Sequence, residues 1–309
     1  MKTEKIIVKG SEELQYYYVY DGVLSATNLE ICSYQATNLV DGLYSKIGND
    51  YILKKTDSDY PVIPQKAKLL GRVTLSSKEL DFLISNTLKP TAKNTQRHLE
   101  SLHFDNGNVN STDGFRACKI QTNDFNFKKL VHIGAFKLLK PRKIYTFDFF
   151  ECAGNFFNEF VYIDLVGENV SFTAKTLKYN FPNLDIMLYD CDYSLEISRK
   201  DFLEALKEIK PYAIENSNLF YLGKNFLEAN IGEVSKKVDL NIRYYGKSYF
   251  DKTKSYSLIM PIKNSMGETL ENVYFSCNLV QFMDLLENSN QEKIIINYLD
   301  GKKPMQINI

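Results

Sequence analysis

Two stretches of this chain, 122 residues apart, carry one pattern. Residues 73–83 read Val-Thr-Leu-Ser-Ser-Lys-Glu-Leu-Asp-Phe-Leu, and residues 195–205 read Leu-Glu-Ile-Ser-Arg-Lys-Asp-Phe-Leu-Glu-Ala. Lys78 and Lys200 hold the same place in each, so the period is 200 − 78 = 122. A period that long implies duplicated domains, because solenoid repeats run roughly 20 to 50 residues. In each copy an alternating strand ends at a serine, Ser76 or Ser198, suited to accept a hydrogen bond from an early helix N–H. Apolar residues follow at helical spacing: Leu80, Leu83 and Ile84, then Phe202, Ala205, Leu206 and Ile209. Pro90 and Pro211 are expected to close the two helices.

Strand and turn signals fill the rest of each copy. Leu102–Phe104 lead into Asp105-Asn106-Gly107-Asn108, and Leu219–Leu222 into Gly223-Lys224-Asn225, both hairpin signatures. Val273–Ser276 open a further strand-to-helix unit whose helix carries Leu279, Phe282, Met283 and Leu286. Two strands then flank Asp300-Gly301, spanning 293–298 and 304–309. A shorter helix is expected over 134–140, with Phe136, Leu138 and Leu139. Before the repeat lies a Tyr-rich strand, Tyr16 to Tyr20, with a turn at Asp21-Gly22 and a second strand from Val23. No amphipathic helix is evident there, and the segment ends near Asp59-Tyr60-Pro61-Val62-Ile63-Pro64. The expected class is α+β, with antiparallel sheets and helices on one sheet face. Three domains follow: a reduced one over 1–70, a middle one over 71–192 and a last one over 193–309.

Composition narrows the function. The 309 residues hold 38 basic and 38 acidic side chains. That balance does not suit tight DNA binding by counterion release, but it allows a local basic lining. Five scattered cysteines without a CxxC pair fit a reducing compartment and argue against a disulfide frame or structural zinc. His98, His103 and His132 show no metal-ligand spacing, so neither metal nor cofactor is expected. Met1–Gly10 lacks an apolar signal core and no run reaches the roughly 20 apolar residues of a membrane span, so a cytoplasmic protein is expected. An enzyme is the first alternative class. Asp57, Asp59, Asp113, Asp185, Asp190 and Asp192 could serve a two-metal nuclease, yet no spacing pairs them with a basic or histidine partner. No GxSxG, P-loop or GxGxxG motif is present.

Several segments, in order along the chain, resemble the bacterial DNA polymerase III beta sliding clamp. Ser111-Thr112-Asp113-Gly114-Phe115-Arg116-Ala117 resembles that family's ATDGHRLA segment, and Leu75–Leu83 the strand and helix that open its middle domain. Thr91–Leu99 is similar to its SxAxxDxRxxLNG loop. Asn180-Phe181-Pro182-Asn183-Leu184 resembles GRFPDY, and Glu196–Leu206 the opening of the last domain. Gly301–Met305 is similar to GPLxP, and Asp21–Ile31 to the first-domain strand LTLTATDLEI. Two departures stand out. The first domain is short, and the chain stops at Ile309, ahead of the family's final strand with its MPxR-like end. The first touches ring closure, and the second the partner pocket.

The resemblance implies a non-enzymatic processivity factor. Its homodimer, or other ring-forming homo-oligomer, would encircle double-stranded DNA without reading sequence. Helices on the inner face would meet phosphates through Lys78, Lys137, Lys140, Arg142, Lys143, Arg199, Lys200, Lys207 and Lys210, and a DNA-near loop would bring Arg97, itself partly structural. Any one of these lysines could equally be a solvated surface residue. The resemblance also implies a pocket for short hydrophobic motifs of DNA polymerase and clamp loader. Thr112, Gly114, Phe115 and Arg116 would form one wall, and Leu99, Pro182, Ile186 and Met187 the other. Met187 suits a site with several partners, although it, Leu99 and Ile186 could be plain core. The alternative within this resemblance is a clamp-like adaptor or decoy that binds partners without a closed ring on DNA.

Overall fold

The computed structural model describes residues 6–7, 14–56, 60, 66–88, 96–136, 139, 144–152, 160–166, 170–213, 218–231, 234–245, 247–249, 254–259, 273–289, 291–298 and 304–308. The strands in chain order begin with β1 (Tyr17–Tyr20), β2 (Val23–Thr27), β3 (Ile31–Ala36), β4 (Gly42–Ile47), β5 (Asp50–Lys55) and β6 (Lys66–Ser76). Helix α1 (Ser77–Ser85) follows, then β7 (Ser101–Asp105), β8 (Asn108–Thr112), β9 (Arg116–Gln121), β10 (Lys128–His132), β11 (Ile144–Cys152), β12 (Phe160–Leu165) and β13 (Val170–Lys175). A 3-10 turn at Leu184–Met187 leads to β14 (Tyr193–Ser198), α2 (Arg199–Ala213), β15 (Leu219–Gly223), β16 (Phe226–Ile231), β17 (Val234–Asp239), β18 (Ile242–Tyr245) and β19 (Tyr256–Ile259). The last elements are β20 (Val273–Asn278), α3 (Leu279–Asn288), β21 (Lys293–Tyr298) and β22 (Met305–Asn308).

The chain divides into two compact units, residues 1–80, 89–109 and 122–181, and residues 81–88, 110–121 and 182–309. Helix α1 and strand β8 each have residues in both. In the first unit one antiparallel sheet runs β5-β4-β1-β2-β3-β13-β12-β11-β6. Its join is the pairing of β3 with β13, from Ile31↔Ala174 to Gln35↔Val170. Asp21 and Gly22 turn β1 into β2 with φ of 49° and 70°, and Asn106 and Gly107 turn β7 into β8 with 42° and 81°. Two successive positive φ values match the right-handed twist of a tight hairpin, which explains the Asp-Gly and Asn-Gly sequences. Phe104, Phe125, Phe127, Phe136, Phe147 and Phe149 fill this unit's core with rings in mutual contact.

In the second unit β9-β19-β22-β21-β14-β18 are successive neighbours in one antiparallel sheet, and β17-β16-β15-β20 form another. Phe202 of α2, Phe220 of β15 and Phe282 of α3 meet as a buried aromatic triad. Burying each such ring removes a large apolar surface from water, worth roughly 1.5–3 kcal/mol.

The expected helix starts are present. The Ser76 hydroxyl accepts from the Glu79 N–H (3.1 Å), and the Glu79 carboxylate accepts from the Ser76 N–H (2.7 Å), a reciprocal cap. Ser198 accepts from the Asp201 N–H at 3.3 Å, and Asn278 caps α3 through the Gln281 N–H at 3.1 Å. Leu80, Leu83, Phe202, Ala205, Leu206, Ile209, Leu279, Phe282, Met283 and Leu286 are buried, as the spacing requires, whereas Ile84 is only half-buried.

Pro211 does not close α2, which continues to Ala213. In the last turn the missing N–H removes a single helix bond, and the burial of Ile209 and Ala213 holds the turn on the core. Pro90, the segment 91–95, the segment 61–65, part of 134–140 and the 299–303 turn lie outside the described residues. Among the described residues no helix is long and apolar enough to cross a membrane.

Candidate functional site

The segment Thr112–Arg116 is a turn held by its own side chains. The Thr112 hydroxyl donates to the Arg116 carbonyl (2.7 Å) and accepts from the Gly114 N–H (3.1 Å). Asp113 Oδ1 accepts from the N–H groups of Phe115 (3.0 Å) and Arg116 (2.9 Å). Gly114 sits at φ 92°, where a Cβ is strained. The turn leaves the Phe115 ring 71% exposed. Threonine and aspartate are favoured here because their short side chains replace missing main-chain partners.

Within β9, Ala117 and Lys119 alternate with Arg116 and Cys118, so the two sets face opposite sides of the sheet, and Phe115 lies in the turn just before the strand. Arg116 turns to the helices. Its guanidinium bonds Asp113 (2.9 Å), Asp284 of α3 (3.1 Å) and the carbonyl of Ser85 at the end of α1 (2.6 Å). With a side chain only 13% exposed, it is a fastener of the turn. Lys119 points to the side opposite Arg116, where its ammonium meets Asp185 Oδ1 at 2.5 Å. Asp185 belongs to the 3-10 turn that presents Ile186, 76% exposed, and Met187, half-buried. Pro182 precedes it, exposed. The structure thus ties Ile186 and Met187 to the strand that follows Phe115. Leu99 belongs to the first unit and is buried there.

The same turn occurs at Thr27–Ile31. The Thr27 hydroxyl donates to the Ile31 carbonyl (3.1 Å) and accepts from the Leu29 N–H (2.9 Å). Asn28 Oδ1 accepts from the N–H groups of Glu30 (3.0 Å) and Ile31 (2.8 Å). Leu29, at φ 69°, takes the place of Gly114, and Glu30 that of Phe115. Glu30 is not left to solvent, because Arg97 grips its carboxylate with two bonds of 2.6 and 2.8 Å. The Arg97 hydrogen bond holds the Glu30 carboxyl below its ordinary range. Sequence reasoning missed this equivalence, and with it Glu30, Lys119, Asp185 and Asp284 as partners. The Thr-Asn and Thr-Asp pairs that open both turns were the available signal.

Among the cations, Lys200, Lys207 and Lys210 stand exposed on α2, Arg199 is half-buried, and Lys78 is exposed on α1. Helical spacing places Lys200, Lys207 and Lys210 along one flank of α2 and Asp201, Glu204 and Glu208 along the other. The acidic flank turns to β17, where Lys236 reaches Glu208 at 2.7 Å. Arg199 donates to the Leu286 carbonyl in the last turn of α3 (3.0 Å), which makes it partly a cap. Lys137, Lys140, Arg142 and Lys143 lie outside the described residues.

A second polar cluster lies beside Arg97. His132 Nδ1 accepts from the Gly134 N–H (3.2 Å), so Nε2 carries the proton and faces Glu100 Oε2 at 3.2 Å. Burial pushes the His132 pKa down despite that carboxylate, and burial does the same to His103. Among the described residues no group of three or more His, Cys, Asp or Glu could hold a metal ion. Cys32, Cys118, Cys191 and Cys277 are buried and in the thiol form, with no disulfide among the described residues.

No family model matches the sequence, and no curated protein matches it. Solved structures do match, over nearly the whole chain. The DNA polymerase III beta subunit of Thermotoga maritima is 15% identical with a TM-score of 0.63, covering 99% of this chain and 91% of that one. The sliding clamp of Bartonella birtlesii, solved bound to griselimycin, is 14% identical with a TM-score of 0.65, covering 99% and 94%. The beta subunit from the DNA polymerase of Streptococcus pyogenes is 14% identical with a TM-score of 0.63, covering 99% and 95%. The chain therefore has the DNA-clamp fold, tandem antiparallel-sheet domains with few helices. The resemblance read from its motifs holds at the level of fold.

Proposed function

We propose that this chain is a DNA sliding clamp, a non-enzymatic processivity factor of the cytoplasm that encircles duplex DNA and tethers polymerase and clamp loader. The observation that carries the reading is the clamp fold across 99% of the chain. In this reading the modules 1–70, 71–192 and 193–309 build a homodimer or other ring. The cationic flank of α2, with Lys78 and the cations at 137, 140, 142 and 143, meets phosphates. A ring holds DNA by topology, so weak contacts suffice and let it slide. Exposed Phe115 and Ile186, with Met187, Pro182, Thr112 and Gly114, receive the apolar motif of a partner. Arg116 fixes the turn that carries Phe115.

A second reading, a partner-binding adaptor without a closed ring, is favoured by one feature. Helices α1 and α3 together offer Lys78 against Glu79, Asp81, Asp284 and Glu287. Retention on circular against linear DNA separates the two. A clamp stays on circles and runs off linear ends, whereas equal retention on both, or on neither, defeats the ring.

A further inference from the structure

We infer that Lys119 is a positioning residue, whose ammonium, paired with Asp185, fixes the Ile186–Met187 turn relative to the strand that follows Phe115. This rests on the docking reading above. Lys119 is 9% exposed on β9, opposite buried Tyr256 of β19. A lysine at such a strand position is disfavoured unless its charge is paired. Here the pair is with Asp185 Oδ1 at 2.5 Å, and the carboxylate itself stays 66% exposed. Within its turn Asp185 is already engaged through the main chain: its N–H donates to Asn183 Oδ1 (3.0 Å) and its carbonyl accepts from Leu188 N–H (3.2 Å). Its side chain is thereby the arm that reaches the sheet. The neighbouring ties fall later, at Tyr189, whose carbonyl accepts from Gln306 (2.7 Å), and at Cys191, bridged to Ser248. Ile186 follows Asp185 directly, and Phe115 lies in the turn that runs straight into β9, four residues before Lys119. One ion pair therefore sets the spacing of two exposed apolar groups, a spacing that a docking peptide must match.

Lys119→Met and Lys119→Arg in the full chain test this, with two measurements. Hydrogen exchange is expected to quicken about tenfold at the Ile186, Met187 and Leu188 amides in Lys119→Met, to stay unchanged in β14, and to return toward the parent in Lys119→Arg. Polarisation of a labelled synthetic pentapeptide with leucine and phenylalanine anchors should show about tenfold weaker binding in Lys119→Met and recovery in Lys119→Arg. Unchanged exchange overturns the positioning role outright. Faster exchange with undiminished peptide binding overturns its link to docking. A parent chain that binds no such peptide overturns both that link and the docking reading. If Lys119→Met does not fold, Asp185→Ala, altered at the exposed partner, takes its place in both measurements: faster exchange with weaker peptide binding supports the role, and unchanged exchange overturns it.

Discussion

Glu30 and Phe115 occupy the same position in a turn that this chain builds twice. Glu30 is clamped by Arg97, and Phe115 stands 71% exposed. The identical hydrogen-bond frame means that the difference between a closed and an open surface lies in one side chain. Phe115→Glu is expected to leave the melting temperature nearly unchanged, within about 0.5 kcal/mol of stability, and to weaken binding of an apolar peptide at least tenfold. Polarisation titration beside thermal denaturation checks both; undiminished affinity removes Phe115 from the docking surface.

The third position of the two turns makes the opposite prediction. Gly114 and Leu29 both sit in the left-handed region, at φ 92° and 69°. Gly114→Ala should destabilise by about 1 kcal/mol through backbone strain. Leu29→Gly should be neutral or stabilising by up to about 1 kcal/mol, although it removes a large side chain. Urea midpoints for the two variants read this directly, and a large loss in Leu29→Gly would contradict it.

Arg116 holds two carboxylates and the last carbonyl of α1. Arg116→Met keeps the stem but leaves Asp113 and Asp284 facing each other without a cation. With the arginine and Asp113 well buried and Asp284 half-exposed, the expected cost is roughly 2–3 kcal/mol. Denaturant unfolding measures it. A cost below about 0.5 kcal/mol, the level of an ordinary surface change, would mean that the cluster does not fasten the turn.

Stability should fall as pH drops through the histidine range. His103 and His132 have folded pKa values below 6.5, so the unfolded chain binds their protons first. Their contribution is complete above about 6.5 and is lost as pH falls toward the folded values. Protonating His132 Nδ1 would also remove the acceptor of the Gly134 N–H. Glu30, held low by Arg97, adds a loss of the same sign below about 4.5. Melting temperatures between pH 5 and 7.5 should rise with pH, and His132→Gln should flatten the slope. An unaltered slope in that variant assigns the effect elsewhere.

Local chemistry was legible in the sequence, and long-range pairing was not. Ser76, Ser198 and the Asn106-Gly107 turn are read from a few adjacent residues, because caps and turns are decided by nearest neighbours. The apolar faces of α2 and α3 follow from the helical period alone. Lys119 and Asp185 lie 66 positions apart, Glu30 and Arg97 67, and Arg116 and Asp284 168, so no periodicity links them. Pro211 misled for a related reason: burial of Ala213 outweighs a local preference that the sequence displays plainly. In Thr27–Ile31 the Leu29-Glu30 pair hides the turn, since neither residue belongs to the usual turn set.

The pairing of β3 with β13 joins residues 31–35 to residues 170–174 across more than a hundred positions of chain. The opening strands are thus not an appendage. Severing the backbone after Thr56 would leave them hydrogen-bonded in place, and calorimetry of the nicked chain should still show that sheet melting as a single cooperative event.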